Sequence, residues 1–510
     1  MKSHQFESSM LADISIQELI DYRADETPDT VFMIDPESHE VFTYSQIQRS
    51  CQAFAGRLIS EGIKPGASIA YAMSNGSHSV KTVLGTLYGG FLATAVNLVS
   101  GSNTISYVLE HSASSVVFTD AGSSALIDEV MSSGNTQAKV LQISNDWFAE
   151  SDNTKIGKIP SEVDGLLMYT SGTTGIPKGV VHTHRSLLAG GYNTSVAHKL
   201  GAKDIGLCVL PLYHINAFCV SLMGALASGG ALVVPPKFSV RSFWSLVRKY
   251  RCSWFSVVPT QISYLIHEAE TNGHDSEGLE ALRFGRSASA PLATEVQQSF
   301  EDRFKVPIIE TMGLTETAAQ ILSNPIDGKR KIGSPGLAFG NEVKIGDEKQ
   351  IEVPRGEEGE LLVRGPNVMR LYRNNESATA ETITSDGWLR TGDLGRMDDE
   401  GYVFVTGRLK ELIIKGGENI APREVDEVLY SHPDVVEAAA FARESSRYGQ
   451  TVEASVMLCE GSRVSESELI ALCRNRIGEF KSPDRVHILP ELPKGPSGKI
   501  QRIKLADLVA

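Results

Sequence analysis

Positive charge is the scarcer sign in this 510-residue chain: 48 Lys and Arg stand against 62 Asp and Glu, a formal net charge of -14. So acidic a chain makes a poor coat for DNA or anionic lipid, although a local basic site for phosphate stays open. Cysteine is sparse as well. Cys51, Cys208, Cys219, Cys252, Cys459 and Cys473 form no Cys-x-x-Cys pair and no Cys/His cluster, which argues against a disulfide framework or a zinc site and for reduced thiols in the cytoplasm. Long apolar runs are missing too. The charge-free stretches 82–109 and 205–236 are broken, the first by Gly89-Gly90, Asn97 and Gly101, the second by Pro211, His214, Asn216 and Gly229-Gly230. Neither reads as the roughly 20 apolar residues of a spanning helix; each reads as a buried helix followed by a buried parallel strand. The polar start MKSHQFESSMLADISI is no secretory signal, and the closing Asp-Leu-Val-Ala is no peroxisomal address. Nucleic acid and integral membrane association are therefore not expected, and no internal repeat is present.

What remains is the composition of an ordinary globular protein, with 41% hydrophobic residues and 46 glycines. At roughly 150 residues per domain, the length suggests about three or four structural units. Strand-length apolar runs (Ser68–Met73, Ser115–Asp120, Gly165–Thr170, Ala231–Pro235 and Trp254–Pro259) alternate with helical patterns such as Tyr44–Glu61 and Ser242–Arg251. That alternation predicts parallel α/β sheets with buried strands. From about Lys344 the segments become Gly-punctuated and alternating, as in antiparallel β structure. After Arg408 a small α+β unit is expected: helix Arg423–Ser431, strands Val435–Arg443 and Val452–Cys459, helix Ser465–Phe480. The boundary falls near Gly407–Lys410.

The strongest local signal is YTSGTTGIPKG, from Tyr169 to Gly179, directly after an apolar strand. Glycines let backbone approach a polyphosphate, hydroxyls and N–H groups donate to it, and Lys178 adds positive charge. It is not a Walker A loop, because Pro177 precedes Lys178 and Gly179 takes the place of Ser or Thr. The chain has neither the Gly-x-Gly of a dinucleotide fingerprint nor the Gly-x-Ser-x-Gly of an α/β-hydrolase.

This loop resembles the signature of the adenylate-forming superfamily, which holds acyl-CoA synthetases, carrier-loading adenylation domains and luciferases. LPLYHINA (Leu210–Ala217), ETMGLTET (Glu310–Thr317), DGWLRTGD (Asp386–Asp393), GRLKELIIKGGENIAPREVD (Gly407–Asp426) and PKGPSGKIQR (Pro493–Arg502) follow in the family's order over nearly the whole chain. The resemblance implies a large N-terminal domain, residues 1–407, of parallel α/β subdomains with a small β-barrel-like part. A small mobile α+β domain, residues 408–510, would follow it. It also implies a two-step reaction with ATP, Mg²⁺ and coenzyme A: a carboxylic acid becomes an acyl adenylate with release of pyrophosphate, and a thiol then displaces AMP. The carboxylate is already an anionic nucleophile, so catalysis rests on positioning and charge neutralisation.

Carried over position by position, the resemblance puts Ser171, Gly172, Thr173, Thr174, Gly175 and Lys178 at the phosphates. Glu316 and Thr170, helped by Thr315, would hold Mg²⁺. Thr311 and Met312 fall among the nucleotide contacts, with Met312 standing where the family usually has an aromatic, so adenine stacking is weakened or differently made. Asp393 would accept from the ribose hydroxyls, Arg408 would touch ribose or phosphate, and Lys499 would bridge the acid and the α-phosphate. Lys410 occupies the hinge position, and Lys415, Gly416 and Gly417 belong to the face that admits the thiol in the second step. KGGENIAPREVD has the form seen in CoA ligases; a carrier protein's phosphopantetheine is the alternative acceptor.

For the acid, LRFGRSASAPLA (Leu282–Ala293), LSNP (Leu322–Pro325) and SGKIQR resemble the oxalyl-CoA synthetase-like group of small-acid CoA ligases. His214, Asn216, Arg286, Ser287 and Ser289 are the candidate acyl-pocket residues. If Arg286 points inward it pairs with a second carboxylate or polar group, because a buried ion requires a partner; if it faces solvent or braces the adenine loop, it does not. Phe218, Met223 and Trp254 read as core.

Overall fold

The structure, a computed structural model, describes residues 13–134, 136–149, 155–170, 176–273, 276–495 and 499–509. Ser171–Gly175, the centre of the phosphate loop, lies outside them. Among the described residues the strands form four sheets. The largest has nine strands in the order Leu337–Ala338, Ala319–Ser323, Ile308–Leu314, Phe284–Ser287, Trp254–Val257, Ile205–Leu207, Ala231–Val233, Val31–Ile34 and Val41–Thr43. Its six central strands, Ile308–Leu314 to Val31–Ile34, are parallel.

A seven-stranded sheet runs Leu371–Tyr372, Lys178–Thr183, Asp164–Thr170, Leu92–Ala95, Ser68–Ala72, Val116–Thr119 and Lys139–Gln142. The last five of these are parallel to one another. Both faces of such sheets are covered, so their strands are continuously apolar rather than alternating; all five residues of Ser68–Ala72 are buried.

Local chemistry starts and stops the covering helices. Thr43 caps the helix Tyr44–Ser60 through a reciprocal capping box with Gln46. The helix Pro259–Asn272 starts with proline in its first turn and ends on Gly273 at φ +72°, the ordinary proline-in, glycine-out arrangement. The helix Val240–Tyr250 buries Phe243, Trp244 and Val247 on one stripe.

From Glu342 the chain builds a four-stranded antiparallel sheet, Glu342–Gly346, Glu358–Arg364, Leu389–Met397 and Val403–Arg408. After a 3₁₀ turn, Leu409–Glu411, a new sheet begins. It holds Glu418–Ile420, Ile413–Lys415, Gly449–Leu458 and Val435–Ser445, with Arg485–Ile488 added in parallel. The helices Pro422–Tyr430 and Glu466–Lys481 pack on it through Val425, Leu429 and Leu469.

The strands and helices expected from the sequence are all present, within a few residues at their ends. The Gly416-Gly417 turn joins two antiparallel strands, with Lys415 opposite Glu418, and the following helix starts at Pro422. Phe218, Met223 and Trp254 are core residues. No helix among the described residues is long and apolar enough to cross a membrane.

Candidate active site

A cleft between the four-stranded sheet, the end of the nine-stranded sheet and the C-terminal unit gathers Ser289, Thr311, Met312, Asp393, Arg408 and Lys499. These come from five separate segments of the chain. Asp393 and Arg408 face each other across the antiparallel strands Leu389–Met397 and Val403–Arg408. Arg408 Nε donates to Asp393 Oδ1 at 2.6 Å, and Nη2 reaches Oδ2 at 3.4 Å. Burial opposes the charge on Arg408, but Asp393 beside it prevails and raises its pKa. Among the described residues no carboxylate forms such a pair with Lys499. Burial first, then the nearby Arg408, draws its ammonium down to about 8.

Thr311 Oγ1 donates to the carbonyl of Ser287 at 3.2 Å, which fixes the end of its strand against its neighbour. Beyond it the chain makes a tight return. A side chain at Gly313 would put its Cβ 1.7 Å from the Ala319 carbonyl oxygen, so no other residue fits there. The return ends in the 3₁₀ turn Thr315–Thr317. His182, buried and with its pKa drawn down to about 4 by that burial, shares a 2.6 Å hydrogen bond with the Thr315 carbonyl through Nε2. Glu316 Oε1 accepts from the Tyr372 hydroxyl at 2.7 Å.

Thr170 and Lys178 are paired across antiparallel strands at the two stems of the phosphate loop. Lys178 opens on a neighbouring cleft with His111 and Arg373, and its ammonium sits 4.8 Å from the ring centre of Tyr372.

The acyl-pocket candidates divide. Arg286 does not face solvent; it is 1% exposed. It projects from the strand Phe284–Ser287 in register with Ser256, and its Nη1 donates to Asn216 Oδ1 at 3.0 Å and Ser256 Oγ at 3.1 Å. Nε donates to Gln320 Oε1 at 3.3 Å. Every one of these acceptors is neutral, and burial lowers the guanidinium pKa to about 9. Asn216 begins an eight-residue π-helix, Asn216–Met223, and its Nδ2 lies 3.4 Å from Ser289 Oγ on the cleft wall. Ser289 itself is held at φ +73°, a strained conformation for a side-chain-bearing residue. Ser287 is fully buried and His214 half-buried; neither lines the cleft.

Lys410 lies exposed in the 3₁₀ turn between the two sheets. Lys415, Gly416 and Gly417 stand away from the cleft. The Lys415 ammonium is 3.6 Å from Asp484 and flanked by Phe480 and Tyr448 at 5.5 and 5.8 Å. Gly416 and Gly417 both have positive φ, +60° and +90°, as a two-residue hairpin turn demands.

Sequence reasoning missed several residues here. Glu310, whose pKa is raised by burial, Glu411 and Arg502 also line the cleft. Arg502 is held by Asp426 Oδ1 at 3.1 Å and the Ala440 carbonyl at 2.8 Å. All three lie inside recognised motifs, Glu310 in Glu310–Thr317, Glu411 in Gly407–Asp426 and Arg502 in Pro493–Arg502, without a role having been assigned to them. Tyr372, Ser256 and Gln320 carry no local signal at all.

The chain that builds this cleft matches known proteins over most of its length. The family model of AMP-binding enzymes fits residues 20–373, and that of their C-terminal domain fits residues 424–499. The chain belongs to the AMP-binding enzyme family. It is 40% identical over 495 residues to a sulfoacetate–CoA ligase of Cupriavidus necator, covering 96% of each chain. It is 35% identical to an oxalate–CoA ligase of Arabidopsis thaliana, covering 90% of this chain and 92% of that one. Among solved structures it resembles o-succinylbenzoate CoA synthetase of Bacillus subtilis in complex with its acyl-adenylate intermediate. There the TM-score is 0.84 at 28% identity, covering 96% and 97% of the two chains. This family member is an ATP-dependent, AMP-forming acid–CoA ligase: it converts a carboxylic acid to an acyl adenylate with release of pyrophosphate, then to a CoA thioester.

Proposed function

We propose that the acid is short and carries a second anionic group, and that Arg286 meets that group. The observation that carries this reading is the setting of Arg286: fully buried, bonded to neutral oxygens, with no described carboxylate in ion-pair contact, and linked through Asn216 to Ser289 on the cleft wall. A buried cation so placed gains by meeting an anion. Sulfoacetate and oxalate, the acids in the names of the relatives, each pair a carboxylate with a second anion on a very short skeleton.

Within this reading the acid's reacting carboxylate attacks the α-phosphorus, a new P–O bond forms, and the bond to the β-phosphate oxygen breaks as pyrophosphate leaves. Lys499 holds the carboxylate and an α-phosphate oxygen together, Arg408 steadies the developing charge, and Asp393 turns to the ribose. Glu316 and Thr170 would hold Mg²⁺, a carboxylate and a hydroxyl being the hard oxygen donors that ion takes. When bound, that ion supplies charge neutralisation on the phosphates. In the second half-reaction the thiol adds to the acyl carbonyl and AMP departs. For that step, residues 408–510 turn about Lys410, removing Lys499 and presenting Lys415, Gly416 and Gly417. The six cysteines, none of them in a disulfide and five of them buried, support action in the cytoplasm.

The test is an acid panel with ATP and Mg²⁺, scored for pyrophosphate and then for CoA thioester. Oxalate or sulfoacetate should outpace acetate and propionate by at least ten-fold in kcat/KM, roughly the value of one charge-assisted contact. Equal rates for singly and doubly charged acids would refute the second-anion assignment. Acyl transfer to a phosphopantetheinylated carrier in preference to CoA would favour the carrier-loading alternative.

A further inference from the structure

The loop that brings Lys499 into the cleft is fastened at a point well outside it. Tyr264 belongs to the helix Pro259–Asn272 in the N-terminal part of the chain. Its hydroxyl donates to Glu437 Oε1 at 3.1 Å and accepts from Lys494 Nζ at 2.8 Å. Lys494 Nζ in turn lies 2.9 Å from Glu437 Oε2, closing a ring of three side chains. Glu437, on the strand Val435–Ser445, is fully buried. A carboxylate there requires both of its partners.

Lys494 is also one stem of the loop that carries Lys499. The Gly495 N–H donates to the Lys499 carbonyl at 2.6 Å, the Gln501 N–H donates to the Pro493 carbonyl at 2.8 Å, and Lys494 forms an antiparallel bridge with Ile500. Fixing Lys494 therefore fixes the backbone of Lys499. Small displacements of such a group are costly to a reaction that depends on positioning.

We infer that Tyr264 is a positioning residue for adenylation: its hydroxyl latches the Lys494–Glu437 pair, so that Lys499 stays in the cleft while the acyl adenylate forms. The latch must open before the C-terminal unit turns. The inference rests on the role proposed above for Lys499.

The test compares Y264F, E437Q, the double variant and K499A in the two half-reactions. Pyrophosphate release is measured with ATP and the best of oxalate, sulfoacetate, acetate and propionate; thioester formation is measured from the corresponding acyl-AMP supplied directly. Y264F keeps the ring and its packing, and its pyrophosphate release should fall roughly ten-fold. Its thioester formation should be unchanged or faster, and the double variant should lose less than the product of the single losses, as members of one network do. Wild-type pyrophosphate release in Y264F, or parallel loss of both half-reactions, overturns the latch. K499A separates the two ideas. Wild-type adenylation in K499A defeats the role given to Lys499, whereas an inactive K499A beside an unaffected Y264F defeats the latch alone.

Discussion

The Tyr372 hydroxyl donates to Glu316 Oε1 at 2.7 Å while the Lys178 ammonium lies over the same ring, 4.8 Å from its centre. One phenol thus joins the carboxylate proposed for Mg²⁺ to the lysine proposed for the phosphates. Burial first, then the adjacent Glu316, raises the phenol's pKa, so it remains a donor throughout the working range. With one oxygen committed to Tyr372, Glu316 presents the other in a fixed direction. Y372F keeps the ring under Lys178 and removes only that hydrogen bond, worth about 1.5 kcal/mol when the acceptor is charged. The Mg²⁺ concentration for half-maximal pyrophosphate release should rise about ten-fold, and thioester formation from supplied acyl-AMP should not change. An identical Mg²⁺ titration in the variant would count against the coupling.

The role proposed for Lys499 gives adenylation a pH dependence of predictable sign. The lysine's folded-state pKa of about 8 is lowered from the ordinary lysine value, by burial first and by Arg408 second. Rising pH therefore removes the cation at about pH 8, where an unperturbed lysine would stay charged. Because kcat/KM reports the free enzyme, kcat/KM for ATP in pyrophosphate release should fall above about pH 8, approaching ten-fold per pH unit. Thioester formation from supplied acyl-AMP, for which the proposed mechanism removes Lys499 from the cleft, should show no such fall across the same range, since the attacking thiol gains thiolate as pH rises. K499R, always charged, should move the adenylation limb upward at whatever reduced rate its geometry permits.

The contrast between these two residues explains how much of the site could be read from the chain. Lys499, Arg408 and Asp393 sit in contiguous motifs, and their expected phosphate and ribose roles come from the resemblance those motifs carry, not from their residue types. Strand and helix periods likewise gave the sheets, because buried parallel strands are apolar throughout. Tyr372 belongs to a two-residue edge strand with no pattern of its own. Arg286 was visible as a residue but not as an environment: Ser256, Asn216 and Gln320 reach it from sequence separations of 30, 70 and 34. The π-helix that presents Asn216 has no period that distinguishes it from a buried α-helix. What the chain withholds is tertiary, namely which neutral groups surround a charge.

Arg286 supplies a prediction that separates specificity from stability. R286M retains much of the side chain's length and removes the charge. For oxalate or sulfoacetate, KM should rise about 10- to 100-fold, the range of a charge-assisted contact, while acetate changes little. The melting temperature should hold or increase, since an uncompensated buried cation is replaced by an apolar chain among neutral groups. R286K restores charge without the planar fork and should recover only part of the affinity. A uniform loss for all acids, with a lower melting temperature, would identify Arg286 as a structural brace instead.

Gly417 tests the opposite face. Its φ of +90° suits glycine, yet a Cβ added there meets no atom within 4 Å, so a substitution strains the turn without a collision in this arrangement. The backbone strain is on the order of 1–2 kcal/mol and confined to a surface hairpin. G417A and G417L share that strain, but only leucine adds bulk to the face proposed to admit the thiol. Pyrophosphate release should therefore remain within about two-fold of wild type in both variants, because the turn lies outside the cleft that holds Lys499. Thioester formation from supplied acyl-AMP should fall modestly in G417A and by more than about 100-fold in G417L, the scale of a misplaced reacting group. K499A should give the mirror image, losing adenylation and keeping thioester formation. Equal damage from G417A and G417L would assign the glycine to backbone conformation alone and leave the thiol face to be sought elsewhere on the C-terminal unit.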